Sequence, residues 1–132
     1  MARRKKRDIM TAVEPESEWL YKCSLQRVVD GDTVDLDVDT GFGIHFNMRV
    51  RLYGFNAPER RKPGGPEATA HLILLLQGNP AKEVVLASKE LFFESIRDRK
   101  GKYGRYLGIL WINLDSAWVC VNRRMVEAGH TR

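Results

Sequence analysis

The clearest pattern in the chain is a strict alternation from Ile44 to Tyr53. Ile44, Phe46, Met48, Val50 and Leu52 fall on one side, and His45, Asn47, Arg49, Arg51 and Tyr53 on the other. Successive side chains of a strand point to opposite faces, so this segment is expected to be a strand with one buried face. A slip of one residue would carry the charged set into the core, which fixes the register. The preceding segment repeats the pattern, with Val34, Leu36 and Val38 alternating with Asp35, Asp37 and Asp39. Thr40-Gly41-Phe42-Gly43 supplies the bend between them, and a β-rich stretch from Tyr21 to Val29 runs into the turn signal Asp30-Gly31-Asp32. Three strands joined in this way form a meander that must curl or pack to shield its apolar face.

After Pro58 the period changes. Gly64-Gly65-Pro66 reads as a loop entering a helix, and Ala68, Leu72, Leu75 and Leu76 recur at helical spacing, so a helix is expected over 66–77 with Gly78 at its end. Residues 79–90 are ambiguous: Asn79-Pro80 resembles a helix start, whereas Glu83 to Leu86 suits a strand, the preferred reading. An extended stretch from Leu91 to Arg97, a charged turn from Asp98 to Lys102, and a strand from Tyr106 to Ile112 pairing back across it come next. Val121, Met125 and Val126 mark a short helix, with Asn122 as a cap and Gly129 at its end. Strands, helix, strands and helix in that order define a small α+β domain around an antiparallel sheet.

Residues 1–18 carry charge without periodicity and read as a basic, mobile N-terminal extension, which leaves 19–132 as the folded domain. The run Arg3, Arg4, Lys5, Lys6, Arg7 suits either a phosphate-binding arm or a solvated tail, with the tail preferred. A length of 132 residues with 43% apolar content fits one domain with one core. The net charge of +5 and pI near 9.4 favour polyanionic partners without proving one. The longest apolar run, Leu72 to Leu76, is too short for a bilayer, and no signal-peptide stretch follows the basic start, so a cytoplasmic protein of the cell or host is expected. Cys23 and Cys120 sit among apolar neighbours and read as buried thiols, with a single disulfide left open. Together with His45, His71 and His130 they make no evident soft-metal cluster.

Three groups carry candidate chemistry. Asp30 and Asp32 lie at a strand junction; Arg51 is followed by Asn56-Ala57-Pro58-Glu59; Lys102-Tyr103-Gly104-Arg105 precedes a later strand. Each is weak alone, but a curled sheet that joined them would form one cleft. Asp32 and the Asn56 side-chain oxygen offer hard donors suited to Ca²⁺ or Mg²⁺. Arg51 and Arg105 offer forked donors to phosphate oxygens, and Glu59 a carboxylate to take a proton from water.

The strings RVVDGDTVDL (Arg27 to Leu36), RLYGFNAPE (Arg51 to Glu59) and KYGR (Lys102 to Arg105) resemble the staphylococcal nuclease family, as do GPEATA at Gly65 to Ala70 and VNRRMVEAG at Val121 to Gly129. The resemblance covers about residues 20–130 in order. It implies a five-stranded OB-like β-barrel with two or three helices. It also implies a calcium-dependent endonuclease cutting DNA or RNA to 5′-hydroxyl and 3′-phosphate ends. By this resemblance Asp32 ligates calcium, Asp30 organises the shell around it, and Asn56 occupies the place of a second metal-ligating carboxylate. Ala57 offers its backbone carbonyl, Glu59 matches the general base, Arg51 and Arg105 bind phosphate, and Lys102 and Tyr103 lie beside the terminal phosphate.

Two departures stand out. Asn56 removes one negative charge, so weaker cation binding is expected, and the match ends near Arg132 without the family's long third helix, leaving a thinner cleft or one covered by a second subunit. Monomer and homodimer are both open. The competing reading is a catalytically inactive OB-fold module that holds nucleic acid through a basic groove and aromatic faces such as Tyr53, Tyr103 and Tyr106.

Overall fold

The computed structural model describes residues 7–77, 90–96, 106–114 and 116–132. The elements are β1 (Leu20–Asp30), β2 (Thr33–Gly41), β3 (Ile44–Leu52), α1 (Gly65–Gln77), β4 (Glu90–Ser95), β5 (Tyr106–Leu114), β6 (Ala117–Cys120) and α2 (Val121–Glu127). β1 pairs antiparallel with β2 and β4, β2 with β3, and β4 with β5. A parallel pairing of β3 with β5 closes these five strands into a mixed barrel, and β6 adds a short hairpin to β5. The protein is therefore an α+β OB-like barrel carrying two described helices, as the resemblance implies.

The alternating segments behave as their pattern demands where they line the barrel. Val34, Leu36, Val50 and Leu52 are completely buried and share one core cluster with Phe93, Leu110 and Ile112 of β4 and β5. Polar partners match across the outer face: Arg49 grips Asp35 with two hydrogen bonds of 2.8 and 3.1 Å, and His45 faces Asp37 at 3.1 Å. The Arg49 guanidinium holds the Asp35 carboxyl below its ordinary range. The apolar face of β3 is only half used, however. Ile44 and Phe46 are exposed, because the β2–β3 hairpin runs past the barrel and ends at Phe42 in solvent.

The helix expected over 66–77 starts one residue earlier and buries Ala68, Leu72 and Leu76. The charged turn and the ambiguous segment 79–89 lie outside the described residues, but β4 and β5 pair as expected on either side of that turn.

Two expectations need correction. Residues 7–18 are not a loose tail. Ile9 and Ala12 are buried in the core cluster, and Arg7 binds the fully buried Glu94 through Nε (3.1 Å) and Nη2 (2.9 Å). Glu94 also accepts the Trp111 indole N–H at 2.9 Å, while the Arg7 carbonyl accepts the Tyr53 hydroxyl at 3.1 Å. A buried carboxylate needs a partner; the one it finds is a basic residue that looked like tail in the sequence.

The second correction concerns Asn122, which caps nothing. Cys120 is the N-cap of α2, with no side-chain cap bond. Buried Asn122 instead accepts the Leu110 N–H at 3.0 Å and donates to the Tyr53 and Gly108 carbonyls at 2.8 and 3.2 Å. Its amide thus ties β5, α2 and the exit of β3 together. The end of α2 follows expectation: Gly129, at φ 84, donates to the Val126 carbonyl and His130 to the Met125 carbonyl, the paired bonds that close a helix on a left-handed residue.

Candidate functional site

The β1–β2 turn, the end of β3 and the loop that follows it meet at one edge of the barrel. Register places Thr33 opposite Arg51, so the turn residue Asp32 lies beside the strand that carries the arginine. The Asp32 carboxylate, 7% exposed, is held from three directions. Oδ2 accepts the Ala57 N–H at 2.8 Å and faces Arg51 Nη2 at 3.3 Å, and Oδ1 accepts the Thr33 hydroxyl at 3.0 Å. Its own N–H donates to Asp30 Oδ1 at 3.1 Å. Burial, reinforced by the adjoining Asp32, pushes the Asp30 carboxyl above its ordinary range.

Arg51 is the hinge of the cluster. Nη1 donates to the Leu52 carbonyl at 2.6 Å, and Nη2 donates to the side-chain oxygen of Asn56. Its guanidinium therefore lies between the Asp32 carboxylate and the Asn56 amide oxygen. An adjoining groove of about 410 Å³ is lined by Arg51, Leu52, Gly54, Phe55, Asn56 and Leu107.

Close packing fixes this arrangement. A Cβ on Gly31 would lie 2.7 Å from the Ala68 Cβ and 2.8 Å from the Ala57 Cβ, so the acidic turn, the loop and α1 touch at a point where no side chain fits. Gly65 packs against the Glu59 carbonyl more tightly still, leaving no room for a Cβ. That carbonyl accepts the Lys62 N–H at 2.9 Å, closing a turn that leaves the Glu59 side chain exposed three residues beyond Asn56.

Asp30, Asp32, Arg51, Asn56 and Ala57 are thus brought together, with Glu59 on the same loop. Lys102, Tyr103 and Arg105 lie outside the described residues; the described part of β5 begins one residue later, with Tyr106 opposite Val50, next to Arg51 in β3. Sequence reading missed two contributors. Thr33 was visible in the string DGDT, and its hydroxyl position beside a buried carboxylate follows from the turn. The Ala57 N–H, as the group that holds Asp32, carried no side-chain signal at all.

The donor chemistry fits a hard cation. Two oxygens of different loops, one anionic and one amide, are already turned toward a single cationic group, the Arg51 guanidinium. Among the described residues no group of three or more histidines, cysteines, aspartates or glutamates is placed to hold a metal ion. The set is a sparse one, with a single carboxylate where the two loops meet.

The chain is thus a closed OB-like barrel with an acidic turn and an arginine converging at its edge. Residues 49–132 match the family described as staphylococcal nuclease homologue, and the chain belongs to that family. It is 33% identical over 91 residues to the thermonuclease of Staphylococcus intermedius, covering 67% of this chain and 47% of that one. It is 35% identical over 91 residues to Protein ParB of Escherichia coli, covering 69% and 42%. An uncharacterized protein of Methanocaldococcus jannaschii is 28% identical over 130 residues, covering 85% and 58%. The chain thus spans about half the length of the curated relatives it matches. No helix among the described residues is long and apolar enough to cross a membrane.

Proposed function

We propose that the protein is a metal-dependent endonuclease that hydrolyses phosphodiester bonds of DNA or RNA, leaving 5′-hydroxyl and 3′-phosphate ends. The observation that carries this reading is the convergence of Asp32, Asn56 and Arg51 at one edge of a staphylococcal-nuclease-type barrel. Its name as a thermonuclease makes the Staphylococcus intermedius relative a supporting case.

In this reading Asp32 and Asn56, with the Ala57 carbonyl, would hold Ca²⁺, and Asp30 would shape the acidic surroundings; Mg²⁺ is the alternative cation. A cation held there would supply positive charge against the phosphate, whose negative charge repels an attacking hydroxide. Arg51 exchanges its bond to Asn56 for a phosphate oxygen, offering a planar fork to charge that grows as the new P–O bond forms. Arg105 supplies the second fork, and Lys102 and Tyr103 receive the flanking phosphate. Glu59, exposed on the loop, takes the proton of the attacking water. Among the described residues the site carries no evident base-reading element, and phosphate contacts alone confer no sequence preference. Two unpaired cysteines suit a reducing compartment and support a cytoplasmic location.

Cleavage of single- and double-stranded DNA and RNA, with calcium or with a chelator, tests the proposal. Calcium-dependent cleavage is expected, lost in Glu59→Ala, Arg51→Ala and Arg105→Ala. Binding without cleavage in any divalent metal identifies an inactive nucleic-acid-binding module instead.

A further inference from the structure

The peptide joining Asn56 to Ala57 is gripped on both of its polar atoms. Its N–H donates to Asp32 Oδ2 at 2.8 Å, and its carbonyl accepts the Arg132 N–H at 2.9 Å. Turning this peptide plane would move the Asn56 side chain and the Ala57 backbone together. The second grip comes from the segment that follows α2, far from the acidic turn in sequence.

That segment is itself rigidly founded. Met125 in α2 is completely buried, and the bonds from Gly129 and His130 back to Val126 and Met125 set the direction in which the chain leaves the helix. The His130 ring lies against His71 of α1, with centroids 4.8 Å apart. At the start of α2, Asn122 Nδ2 holds the Tyr53 carbonyl at 2.8 Å. Residues 53–56 are therefore held at one end by the first turn of α2 and at the other by its exit. The contacts form a circuit: Gly31 on Ala68 in α1, His71 on His130, Arg132 on Asn56, Ala57 on Asp32.

We propose that the segment Gly129 to Arg132 is a positioning clamp, whose Arg132 N–H fixes the Asn56–Ala57 peptide and with it the oxygen donors on the loop side of the cleft. Arg132 acts through Asn56 and touches no reacting atom. The assignment rests on the cation-binding role proposed above for that loop. The clamp is a backbone device, so it depends on the presence of an N–H at position 132 and not on the side chain there.

Proline at this position removes the donor, whereas alanine keeps it. Arg132→Pro and Arg132→Ala are compared with wild type by amide exchange at Ala57 and by hydrolysis rate against calcium concentration, with urea midpoints as the reference for overall folding. Arg132→Pro is expected to speed Ala57 exchange roughly three- to tenfold, the equivalent of one net hydrogen bond. It is also expected to raise the calcium concentration at half-maximal rate, with kcat restored at saturating calcium, while Arg132→Ala matches wild type on both readouts. Equal Ala57 exchange in the two variants overturns the clamp. Faster exchange with an unchanged calcium curve overturns its role at the site. Faster exchange in Arg132→Pro with no hydrolysis by wild type leaves the clamp standing and overturns the nuclease reading.

Discussion

The Ala57 N–H donates to Asp32 Oδ2 at 2.8 Å across 25 residues of sequence, joining the acidic β1–β2 turn to the loop after β3. Asp32 is thus both the anionic centre of the candidate cleft and the acceptor that shapes it. Replacing it with alanine strands the Ala57 N–H and removes one of the partners of Arg51. A loss of about 1–3 kcal/mol in unfolding free energy is expected, read from urea denaturation, together with loss of hydrolysis. Asp32→Asn keeps an acceptor and is expected to retain most of the stability while still losing activity.

Gly31 reports on the packing that brings the loops together. The atoms a new Cβ would strike are the Cβ atoms of Ala68 and Ala57, which have no rotamer with which to move aside. Gly31→Ala is expected to cost about 1–3 kcal/mol, as overpacking of a tight contact does. Activity should fall with it, since relief requires the acidic turn to retreat from the loop. A denaturation midpoint equal to wild type would show that the contact is looser than described.

The Arg7–Glu94 pair carries a prediction about the N-terminal segment. Arg7→Ala leaves a fully buried carboxylate without its cation, a loss expected to cost about 3–5 kcal/mol. Because the Trp111 indole donates to the same carboxylate, its fluorescence should change in step with unfolding.

His71 sets a pH dependence. Burial, with His130 beside it, pushes its imidazole below the ordinary value of 6.5. The unfolded chain therefore binds a proton more readily than the folded one. Stability from this group is complete above about pH 6.5 and is lost as pH falls through that value toward the folded one. Urea midpoints from pH 8 to pH 5 should fall on the acid side in wild type and fall less in His71→Phe. Parallel curves for the two proteins would contradict this.

The strands and the first helix were legible because their information is local, whereas their closure into a barrel was implied only by the family resemblance. Alternation of period two fixes which faces of β2 and β3 point inward, and the helical recurrence of Ala68, Leu72 and Leu76 does the same for α1. The outer half of β3 misled, since alternation reports a face and not how far the barrel behind it extends; Ile44 and Phe46 obey the pattern but reach past the wall. Arg7 and Asn122 misled for another reason. Both look like surface residues until a long-range partner is known, Glu94 in one case and the Tyr53 carbonyl in the other. In the site, side chains with charge announced themselves, whereas the N–H groups of Ala57 and Arg132 are present in nearly every residue and become informative only once the fold aims them.

The most direct test of the central claim is the calcium dependence of single-stranded DNA hydrolysis in wild type, Asn56→Asp and Glu59→Gln. Asn56→Asp restores an anionic oxygen beside Asp32 and is expected to reach half-maximal rate at a lower calcium concentration. Glu59→Gln is expected to lower the maximal rate by roughly 10²–10⁴, the usual contribution of a general base, with its calcium midpoint near that of wild type. Coincident curves for wild type and Asn56→Asp, with Glu59→Gln fully active, would contradict the account.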